Sequence, residues 1–353
     1  MHAIDVQGPK TFEIVSVDGK RFVRCEHCRE LVERSIVTHL KRDHRDVWKQ
    51  YVAAFVGLRR QGYSCKKIMW HFGRAFSWTV VERALAEAGV PPSQRLRRLP
   101  LEPENFELEQ TTIWSFPNRG KWAVHDSSYR GNWGPEVPRN LILRYTEPGD
   151  WVLDPFLGGG TTAIEATLLR RNFVGLDVNP AALQVARRKI RRLKARLRRE
   201  KALEGGLPVV RVLHGDARRM KQVASESVKL VCAHPPYLNI VEYTRTDPAD
   251  LSTITDPDRY MREMRRVALE ILRCLRPSGV LAMLIGDVRR NGKIIPLGMK
   301  VLHALLDMFD LEEIVIKTQH NASSTHFYEG KSHSFLRIAH EYLLIMRKAP
   351  VGR

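Results

Sequence analysis

The chain has 353 residues, which at about 150 residues per domain indicates two domains or three. A hydrophobic share of 43% with 27% charged residues argues against wholesale disorder, and no uncharged apolar run approaches the roughly 18–20 residues that cross a bilayer. The formal net charge of +19 favours a nucleic-acid partner, although a solvated basic surface would carry the same charge.

The N-terminal segment MHAIDVQGPK lacks the basic start and the apolar stretch of a secretory signal. Five cysteines in a chain of this length do not form a disulfide framework. We therefore expect a protein of the reduced cytoplasm, associated with the nucleoid and without a membrane partner.

Residues 11–23 predict two short strands around the turn Asp18-Gly19. Two cysteines and two histidines follow: Cys25, Cys28, His39 and His44. Their spacing, C-x2-C-x10-H-x4-H, can bring four ligands to one tetrahedral zinc ion, although the middle spacer is shorter than the usual length of about twelve. A chance grouping of surface residues is the alternative. The pattern predicts a zinc-finger-like module at residues 1–47, in which the metal can simply hold the fold together.

Three helices are predicted next, at residues 48–60, 64–72 and 77–88. Ser77 is suited to cap the third helix, and the region resembles the helix-turn-helix of recombinase and regulator families. In that arrangement Ser77-Trp78-Thr79 would face a DNA groove, whereas a plain three-helix bundle is the alternative. Residues 91–110, rich in Pro, Arg and Glu, are predicted to be a linker after the bundle at 48–90.

From residue 111 onward, strand patterns alternate with helix patterns. Strands are predicted at 151–153, 173–176, 209–213, 228–233, 280–285, 311–316 and 341–346, and helices at 161–171, 180–203, 259–275 and 296–309. This alternation implies an α/β domain at 111–353 with a doubly wound, mostly parallel sheet. Because no helix separates the last two strands, we expect them to form an antiparallel pair.

The first strand of this domain ends in DPFLGGGTT, which runs from Asp154 to Thr162. A strand, a glycine-rich turn and a helix form a cofactor cradle, because glycine lets the backbone approach a ligand closely. The glycine spacing differs from the G-x-G-x-x-G of dinucleotide sites. Asp177 and Asp216 end the next two strands, and three carboxylates at neighbouring strand ends suit a cationic nucleoside better than a pyrophosphate.

The fourth strand is followed by His234-Pro235-Pro236-Tyr237. Together with DPFLGGGTT, this tetrapeptide resembles the DNA amino-methyltransferase family, whose members methylate cytosine N4 or adenine N6 with S-adenosylmethionine. The resemblance covers about residues 112–347, and WAVHDSSYRGNWGPEVPRNLILRYTEPGD is similar to the cofactor-proximal segment of the family. It implies a Rossmann-like class I methyltransferase fold, a duplex DNA partner and flipping of the target base.

The resemblance also implies roles for individual residues. Five of them would surround the methionine end of the cofactor: Asp154, Phe156, Gly158, Gly160 and Thr161. Asp177 would hold the ribose, and Asp216 would hold the adenine amino group. The tetrapeptide would receive the target base, with Tyr237 stacked on it. The short stretch between Asp216 and His234 leaves no room for a recognition insert, so we expect recognition in the first hundred residues, together with the loop at 239–258.

His234 departs from the family pattern, which usually has Asp, Asn or Ser before PPY. A neutral imidazole nitrogen can accept a hydrogen bond from the exocyclic amino group, as the proline carbonyl does, whereas imidazolium cannot. Burial would lower the ordinary pKa of about 6.5, and a carboxylate such as Glu242 would raise it. Since a neutral ring is closer in charge to Ser than to Asp, cytosine N4 is favoured over adenine N6.

Two other functions remain open at this stage. One is an RNA methyltransferase of the guanine-N2 type, although the sequence has no visible RNA-binding module. The other is a non-catalytic DNA-binding regulator, against which the complete glycine turn and the three acids argue. The basic helix at 187–201 could lie along phosphates or form a solvated outer face. Three cysteines are expected in the core: Cys65, Cys232 and Cys274. Three histidines receive no role: His125, His320 and His326.

Overall fold

The computed structural model describes residues 12–17, 20–25, 27–32, 36–61, 63–72, 76–90, 99–126, 129, 131–203, 205–241, 243–244, 247–320 and 335–349. The chain divides into two compact units, Met1–Arg98 and Leu99–Arg353. None of the helices in the described part of the chain is long and apolar enough to span a membrane.

The first unit combines a small antiparallel sheet with four helices. Its elements are β1 (Phe12–Val17), β2 (Lys20–Cys25), β3 (Leu31–Val32), α1 (Ile36–Asp43), α2 (Arg45–Arg60), α3 (Cys65–His71) and α4 (Trp78–Glu87). The antiparallel pairing of β1 with β2 confirms the two predicted strands, whereas their Asp18-Gly19 turn lies outside the described residues.

Helices α2, α3 and α4 confirm the three predicted helices. The hydroxyl of Ser64 accepts a hydrogen bond from the backbone amide of Lys67 at the start of α3, and Ser77 accepts from Val80 at the start of α4. Each hydroxyl satisfies an amide that the first helical turn leaves without a partner. An aromatic core with Tyr51, Phe55 and Phe76 holds the helices together. Cys65 is buried in it, as expected.

The second unit is an α/β sandwich. Its elements are β4 (Ile113–Trp114), α5 (Glu136–Tyr145), β5 (Trp151–Asp154), α6 (Thr161–Leu168), β6 (Asn172–Asp177), α7 (Pro180–Glu200), β7 (Val210–His214), β8 (Val228–Ala233), α8 (Pro257–Cys274), β9 (Leu275–Ile285), β10 (Val288–Arg290), β11 (Lys293–Ile295), α9 (Leu297–Leu305), β12 (Phe309–Thr318) and β13 (His340–Lys348).

The main sheet has eight described strands in the order β4-β12-β13-β9-β8-β5-β6-β7. Strand β5 pairs in parallel with β6 on one side and with β8 on the other, while β13 is antiparallel to both β12 and β9. The predicted α/β sheet with a terminal antiparallel pair is therefore confirmed. Since β6 and β8 lie on opposite sides of β5, the strand order reverses there, and a crevice is expected at the carboxyl ends of these strands.

Apolar residues are buried on both faces of the sheet. Helix α8 contributes Met264 and Ile271 to one layer, and the other layer contains Ile142 of α5, Ile164 of α6 and Leu193 of α7. Continuous apolar strands are expected where both faces are covered. Cys232 and Cys274 are buried in these layers, as the sequence predicts.

The prediction of a linker at 91–110 is wrong for residues 99–110, because these residues belong to the second unit. The Pro100 carbonyl accepts a hydrogen bond from the Ala123 amide, and Glu102 pairs with Arg139. These partners are distant in sequence, so composition alone could not reveal them. Helix α5 and the β10–β11 hairpin were also not predicted.

The basic helix α7 packs its apolar side onto the sheet, with Leu193 and Leu197 buried. Lys189 is buried and pairs with Asp126, with 2.6 Å between Nζ and Oδ1. Six arginines face solvent: Arg187, Arg188, Arg191, Arg192, Arg198 and Arg199. This arrangement is compatible with both interpretations made from the sequence.

Candidate functional site

A cleft of about 760 Å³ lies in the second unit where β5, β6 and β8 end. This volume includes the solvent at the mouth of the cleft, and the mixture of apolar and polar walls is typical of a small-molecule site. Its walls contain eight of the predicted site residues: Asp154, Phe156, Gly158, Thr161, Asp177, Asp216, His234 and Pro236. The other three predicted residues, Gly160, Pro235 and Tyr237, lie beside the cleft and do not line it.

The glycine turn connects β5 to α6. Gly160 precedes the helix with a φ of +83°, a backbone conformation that favours glycine. Gly159 allows a close approach, because a Cβ atom there would lie 2.5 Å from Nδ2 of Asn132. The turn therefore requires glycine for reasons of backbone geometry and of space.

Asp154 supports this turn from inside. Its Oδ1 accepts a hydrogen bond from the Phe156 amide at 3.0 Å, and its Oδ2 accepts from the Thr162 hydroxyl at 2.5 Å. Burial raises the pKa of Asp154 to about 7, because a carboxylate loses hydration there. Both oxygens have partners within the protein, so Asp154 shapes the cleft wall in addition to lining it.

Asp177 lies opposite the turn, at the end of β6. Its Oδ2 accepts from the Gly158 amide at 2.8 Å, and its Oδ1 accepts from the Asn179 amide at 2.8 Å. Burial raises the pKa of this carboxyl, against the effect of the two amides. Each carboxylate oxygen keeps a further lone pair, so Asp177 is able to accept from ligand hydroxyls.

Asp216 follows β7 and is bound by one arginine. Nε and Nη2 of Arg218 reach the two carboxylate oxygens at 2.9 Å and 2.7 Å, and Arg218 also donates to Glu263. A bidentate fork of this kind fixes the orientation of a carboxylate. The remaining lone pairs of Asp216 can still accept from a ligand amino group at this wall.

Several lining residues were not assigned from the sequence: Tyr129, Asn132, Trp133, Tyr243 and Asp250. Asn132 accepts a hydrogen bond from the Gly159 amide at its Oδ1, at 3.0 Å. Its Nδ2 is buried and has no partner among the described residues. Such an amide can donate to an anionic ligand group. Tyr129, Asn132 and Trp133 lie in the segment that resembles the cofactor-proximal segment of the family. That resemblance was the signal by which the sequence could have assigned them to the site.

His234 follows β8 and is linked to a buried carboxylate. Its Nε2 lies 2.9 Å from the Tyr237 hydroxyl, which donates to Oε1 of Glu341 at 2.8 Å. Burial lowers the pKa of His234 to about 4, so the ring is neutral near pH 7. The Trp133 ring is stacked on the imidazole, with 5.4 Å between ring centroids.

Two expectations from the sequence concern this corner of the cleft. Tyr237 was expected to present its ring for stacking, which stays a prediction; in the structure its hydroxyl is held by Glu341 and one ring edge packs on Gly286, where a Cβ atom would lie 2.8 Å from Cε2. Glu242, the expected neighbouring carboxylate, lies outside the described residues. Glu341 raises the pKa of His234, although burial has the larger, opposite effect.

A buried polar cluster lies behind the glycine turn. Oε1 of Glu165 accepts from Nε1 of Trp122 at 2.8 Å and lies 2.6 Å from Nε2 of His125. Oε2 of Glu165 accepts from Arg139 at 2.9 Å. Glu165 belongs to α6, so these contacts join the 99–126 segment to the helix that follows the turn. His125, to which the sequence assigned no role, is therefore part of this buried cluster.

The first unit brings together the four predicted metal ligands, Cys25, Cys28, His39 and His44, whose ligand atoms lie within 4.8 Å of one another. Nε2 of His39 is 3.3 Å from Sγ of Cys28, while its Nδ1 lies 3.0 Å from Oδ2 of Asp43. A metal-binding histidine usually donates its other nitrogen to such a carboxylate. Nε2 of His44 is buried without a partner in the described part of the chain. The donor set fits zinc.

Comparisons with known proteins match both the glycine turn and the segments around it. The family described as DNA methylase matches residues 60–188, and the family described as methyltransferase domain matches residues 153–283. Both matches contain DPFLGGGTT, and the second continues through the HPPY tetrapeptide.

Three relatives have a similar sequence over part of their length. Type II methyltransferase M2.MboI of Moraxella bovis is 30% identical over 27% of this chain and 35% of its own length. DNA adenine methyltransferase YhdJ of Escherichia coli strain K12 is 26% identical over 41% of this chain and 51% of its own length. Type II methyltransferase M2.DpnII of Streptococcus pneumoniae is 44% identical over 20% of this chain and 25% of its own length.

The chain thus spans from about a quarter to about half of the length of these relatives. The second unit has the Rossmann-like sheet of class I S-adenosylmethionine-dependent methyltransferases, with the glycine turn and the tetrapeptide at the ends of adjacent strands. In the matched motifs and in the fold that carries them, the chain resembles the DNA amino-methyltransferases.

Proposed function

We propose that this protein transfers a methyl group from S-adenosylmethionine to the exocyclic amino group of a flipped base in duplex DNA. The observation that carries the proposal is the position of His234, which lines the same cleft as Pro236, the glycine turn and Asp177; burial, which lowers the pKa of its ring, supports a neutral imidazole. A neutral imidazole supplies the hydrogen-bond acceptor that an amino-group substrate requires. The names of the relatives support DNA as the substrate.

The residues of the cleft fit the cofactor. Asp177 would hold the ribose hydroxyls, and Asp216 would accept from the adenine amino group. Nδ2 of Asn132, which has no partner among the described residues, would donate to the carboxylate at the methionine end. Phe156, Gly158 and Thr161 of the cleft wall would surround this end. When bound, S-adenosylmethionine supplies an electrophilic methyl group on a positively charged sulfur.

The protein prepares the amino nitrogen for attack through two acceptors. One is the imidazole of His234, and the other is the Pro235 carbonyl, the carbonyl next to His234 in the sequence; the Pro236 carbonyl accepts from Tyr260 at 2.7 Å. Two accepted hydrogen bonds draw the amino group out of conjugation and expose its lone pair. The lone pair would then be directed at the methyl group that the cofactor supplies, and His234 would take up the amino proton that is released.

Cytosine N4 is the proposed target, because a neutral acceptor at the His234 position resembles the Ser of cytosine enzymes more than the Asp of adenine enzymes. Adenine N6 is the second candidate, and the name of the relative YhdJ, a DNA adenine methyltransferase, favours it. Both bases present an amino group to the same pair of acceptors, so the chemistry of the step is shared.

The deciding experiment is to express the full chain in a host without amino-methylated DNA and to identify the modified bases by sequencing and mass spectrometry. We expect N4-methylcytosine within a defined sequence, and its loss with His234→Phe. N6-methyladenine alone would reassign the target base. Methylation of transfer RNA but not of duplex DNA in vitro would favour an RNA enzyme, and cofactor binding without any transfer would favour a non-catalytic regulator.

For the first unit, we propose a structural zinc ion held by Cys25, Cys28, His39 and His44, and a role in recognising DNA. Trp78, at the start of α4, is about half exposed, so its indole is free to contact a groove. Replacement of Trp78 by Ala in the full chain tests this role. DNA affinity should fall while the affinity for S-adenosylmethionine stays the same, and unchanged DNA affinity would contradict it.

A further inference from the structure

Four side chains form a continuous polar chain behind the HPPY tetrapeptide. Lys317 on β12 and Glu341 on β13 are directly paired across the antiparallel strands, with 2.7 Å between Nζ and Oε2. Oε1 of Glu341 lies 2.8 Å from the Tyr237 hydroxyl, which lies 2.9 Å from Nε2 of His234. Glu341 is only 7% exposed, so water does not compete strongly for these contacts.

The charge of Glu341 sets the direction of every hydrogen bond among these four side chains. Burial alone would raise its pKa, but the Lys317 ammonium holds the pKa of Glu341 below its ordinary value. An ionised carboxylate only accepts hydrogen bonds, so the Tyr237 hydroxyl must donate its single proton to Glu341. The oxygen of Tyr237 can then only accept from His234, and Nε2 must carry the imidazole proton.

We propose that Glu341 is a positioning residue that acts through Tyr237 to fix the His234 imidazole as the tautomer protonated at Nε2, which leaves Nδ1 as the acceptor for the target amino group. The proposal rests on the proposed function and adds two residues to it, Glu341 and Lys317. It also changes the role of Tyr237 from a stacking surface to a proton-orienting hydroxyl.

The same arrangement serves the proton that leaves the amino group. When Nδ1 takes that proton, the ring becomes positively charged, and its Nε2 proton remains directed at Tyr237. The Glu341 carboxylate, one hydroxyl away, stabilises this charge in the way a buried carboxylate stabilises the imidazolium of a catalytic triad. A simple packing pair of Glu341 with Lys317 would have no effect on the His234 ring.

The experiment measures the tautomer of His234 directly, by two-bond ¹H–¹⁵N correlation spectra of the full chain labelled with ¹⁵N-histidine. The His234 signals are identified by their loss in His234→Gln. We expect a neutral ring protonated at Nε2 in the wild-type chain. In Glu341→Gln, Lys317 must face the amide oxygen, so the amide NH₂ faces Tyr237. Tyr237 then donates to Nε2, and the ring proton should move to Nδ1.

Methyl transfer to unmethylated genomic duplex DNA provides the second measurement. Glu341→Gln should lower kcat roughly 10²-fold, the usual effect of removing one positioned partner, with KM for DNA and the affinity for S-adenosylmethionine unchanged. Glu313→Gln is the matched control, because Glu313 is exposed on the neighbouring strand β12, and it should alter neither the spectrum nor kcat. Tyr237→Phe should give mixed tautomers and also lower kcat.

The outcomes separate this proposal from the proposed function. A wild-type ring protonated at Nδ1, or a His234 spectrum unchanged by both Glu341→Gln and Tyr237→Phe, would overturn the positioning role even if the protein methylates DNA. Conversely, a wild-type chain that methylates no base would defeat the proposed function, while the tautomer spectra would still report whether Glu341 controls the ring.

Discussion

Asp177, at the end of β6, accepts a hydrogen bond from the backbone amide of Gly158, with 2.8 Å between Oδ2 and the amide nitrogen. The carboxylate predicted to hold a ligand ribose therefore also holds the glycine turn against the neighbouring strand. If this prediction holds, the shape of the cleft and its affinity for the cofactor depend on the same group.

Asp177→Ala should weaken binding of S-adenosylmethionine by roughly one to two powers of ten, since a hydrogen bond to a charged group contributes about 1.5–3 kcal/mol. It should also lower the melting temperature, because the Gly158 and Asn179 amides lose their acceptor. Titration calorimetry and thermal unfolding measure the two effects. Unchanged affinity would remove Asp177 from the cofactor site, and a change in affinity without a change in melting temperature would argue against its structural role.

Asn132→Asp should also weaken cofactor binding, by about tenfold. The substituted carboxylate can still accept from the Gly159 amide, but it loses the Nδ2 donor and places a negative charge beside the cofactor carboxylate. Calorimetry of the full chain checks this expectation. The affinity for sinefungin, which has the same amino-acid end as the cofactor, should fall in parallel. An undiminished affinity for both ligands would show that Nδ2 of Asn132 does not contact the bound cofactor.

The His234 ring should stay neutral from about pH 9 down to about pH 5, so its protonation should not change the rate of methyl transfer in this range. The rate should fall as the pH approaches the pKa of His234, about 4. Protonation at low pH removes the acceptor, so activity is lost on the acidic side. Single-turnover methylation across this range measures the effect. A decline centred near the ordinary histidine pKa of about 6.5 would show that the ring is better hydrated than its burial indicates.

Two variants of His234 complete this test. His234→Asn should retain some activity and remove the acidic decline, because an amide oxygen accepts without titrating in this range. His234→Phe should lower the rate at least about 10²-fold. If His234→Phe kept the full rate, the proline carbonyl would be sufficient and His234 would be a packing residue.

Glu165→Gln should lower the free energy of unfolding by about 3 kcal/mol, since a neutral amide no longer balances the buried guanidinium charge of Arg139, which then keeps only the partly exposed carboxylate of Glu102. Glu165 has no exposed surface. Glu312→Gln is the comparison, because its ion pair with Arg347 is partly exposed and such pairs contribute about 1 kcal/mol or less. Urea unfolding of both variants gives the values. Equal effects would show that the cluster behind the glycine turn is well hydrated.

One zinc ion per chain should copurify with the protein, and Cys25→Ser should abolish it because the thiolate is lost from the ligand set. Metal analysis of the purified full chain measures the content. His44→Gln should likewise reduce it, whereas His71→Gln, an exposed histidine of α3 in the same unit, should not. A full equivalent of zinc in Cys25→Ser would refute the assignment.

Local patterns were sufficient to predict the glycine turn and the described strands of the main sheet except β4. Trp151, Val152 and Leu153 are apolar, as expected of a strand buried on both faces, and Gly158 and Gly160 adopt backbone conformations that few other residues allow. The candidate metal-ligand cluster was also predictable, since Cys25 and Cys28 are close in sequence and the structure brings them together with His39 and His44. In each case the physical cause acts over a few residues.

Tertiary structure alone decided which groups meet at the tetrapeptide. Glu341 lies 104 residues from Tyr237 in sequence, and it reaches the Tyr237 hydroxyl only because β13 is inserted between β12 and β9 with Lys317 directly opposite. Likewise, Asn132 meets Gly159 through the packing of the 99–145 segment, where composition had predicted a linker over part of the range. Sheet register and long-range packing are collective properties of the folded chain, so no local pattern encodes them.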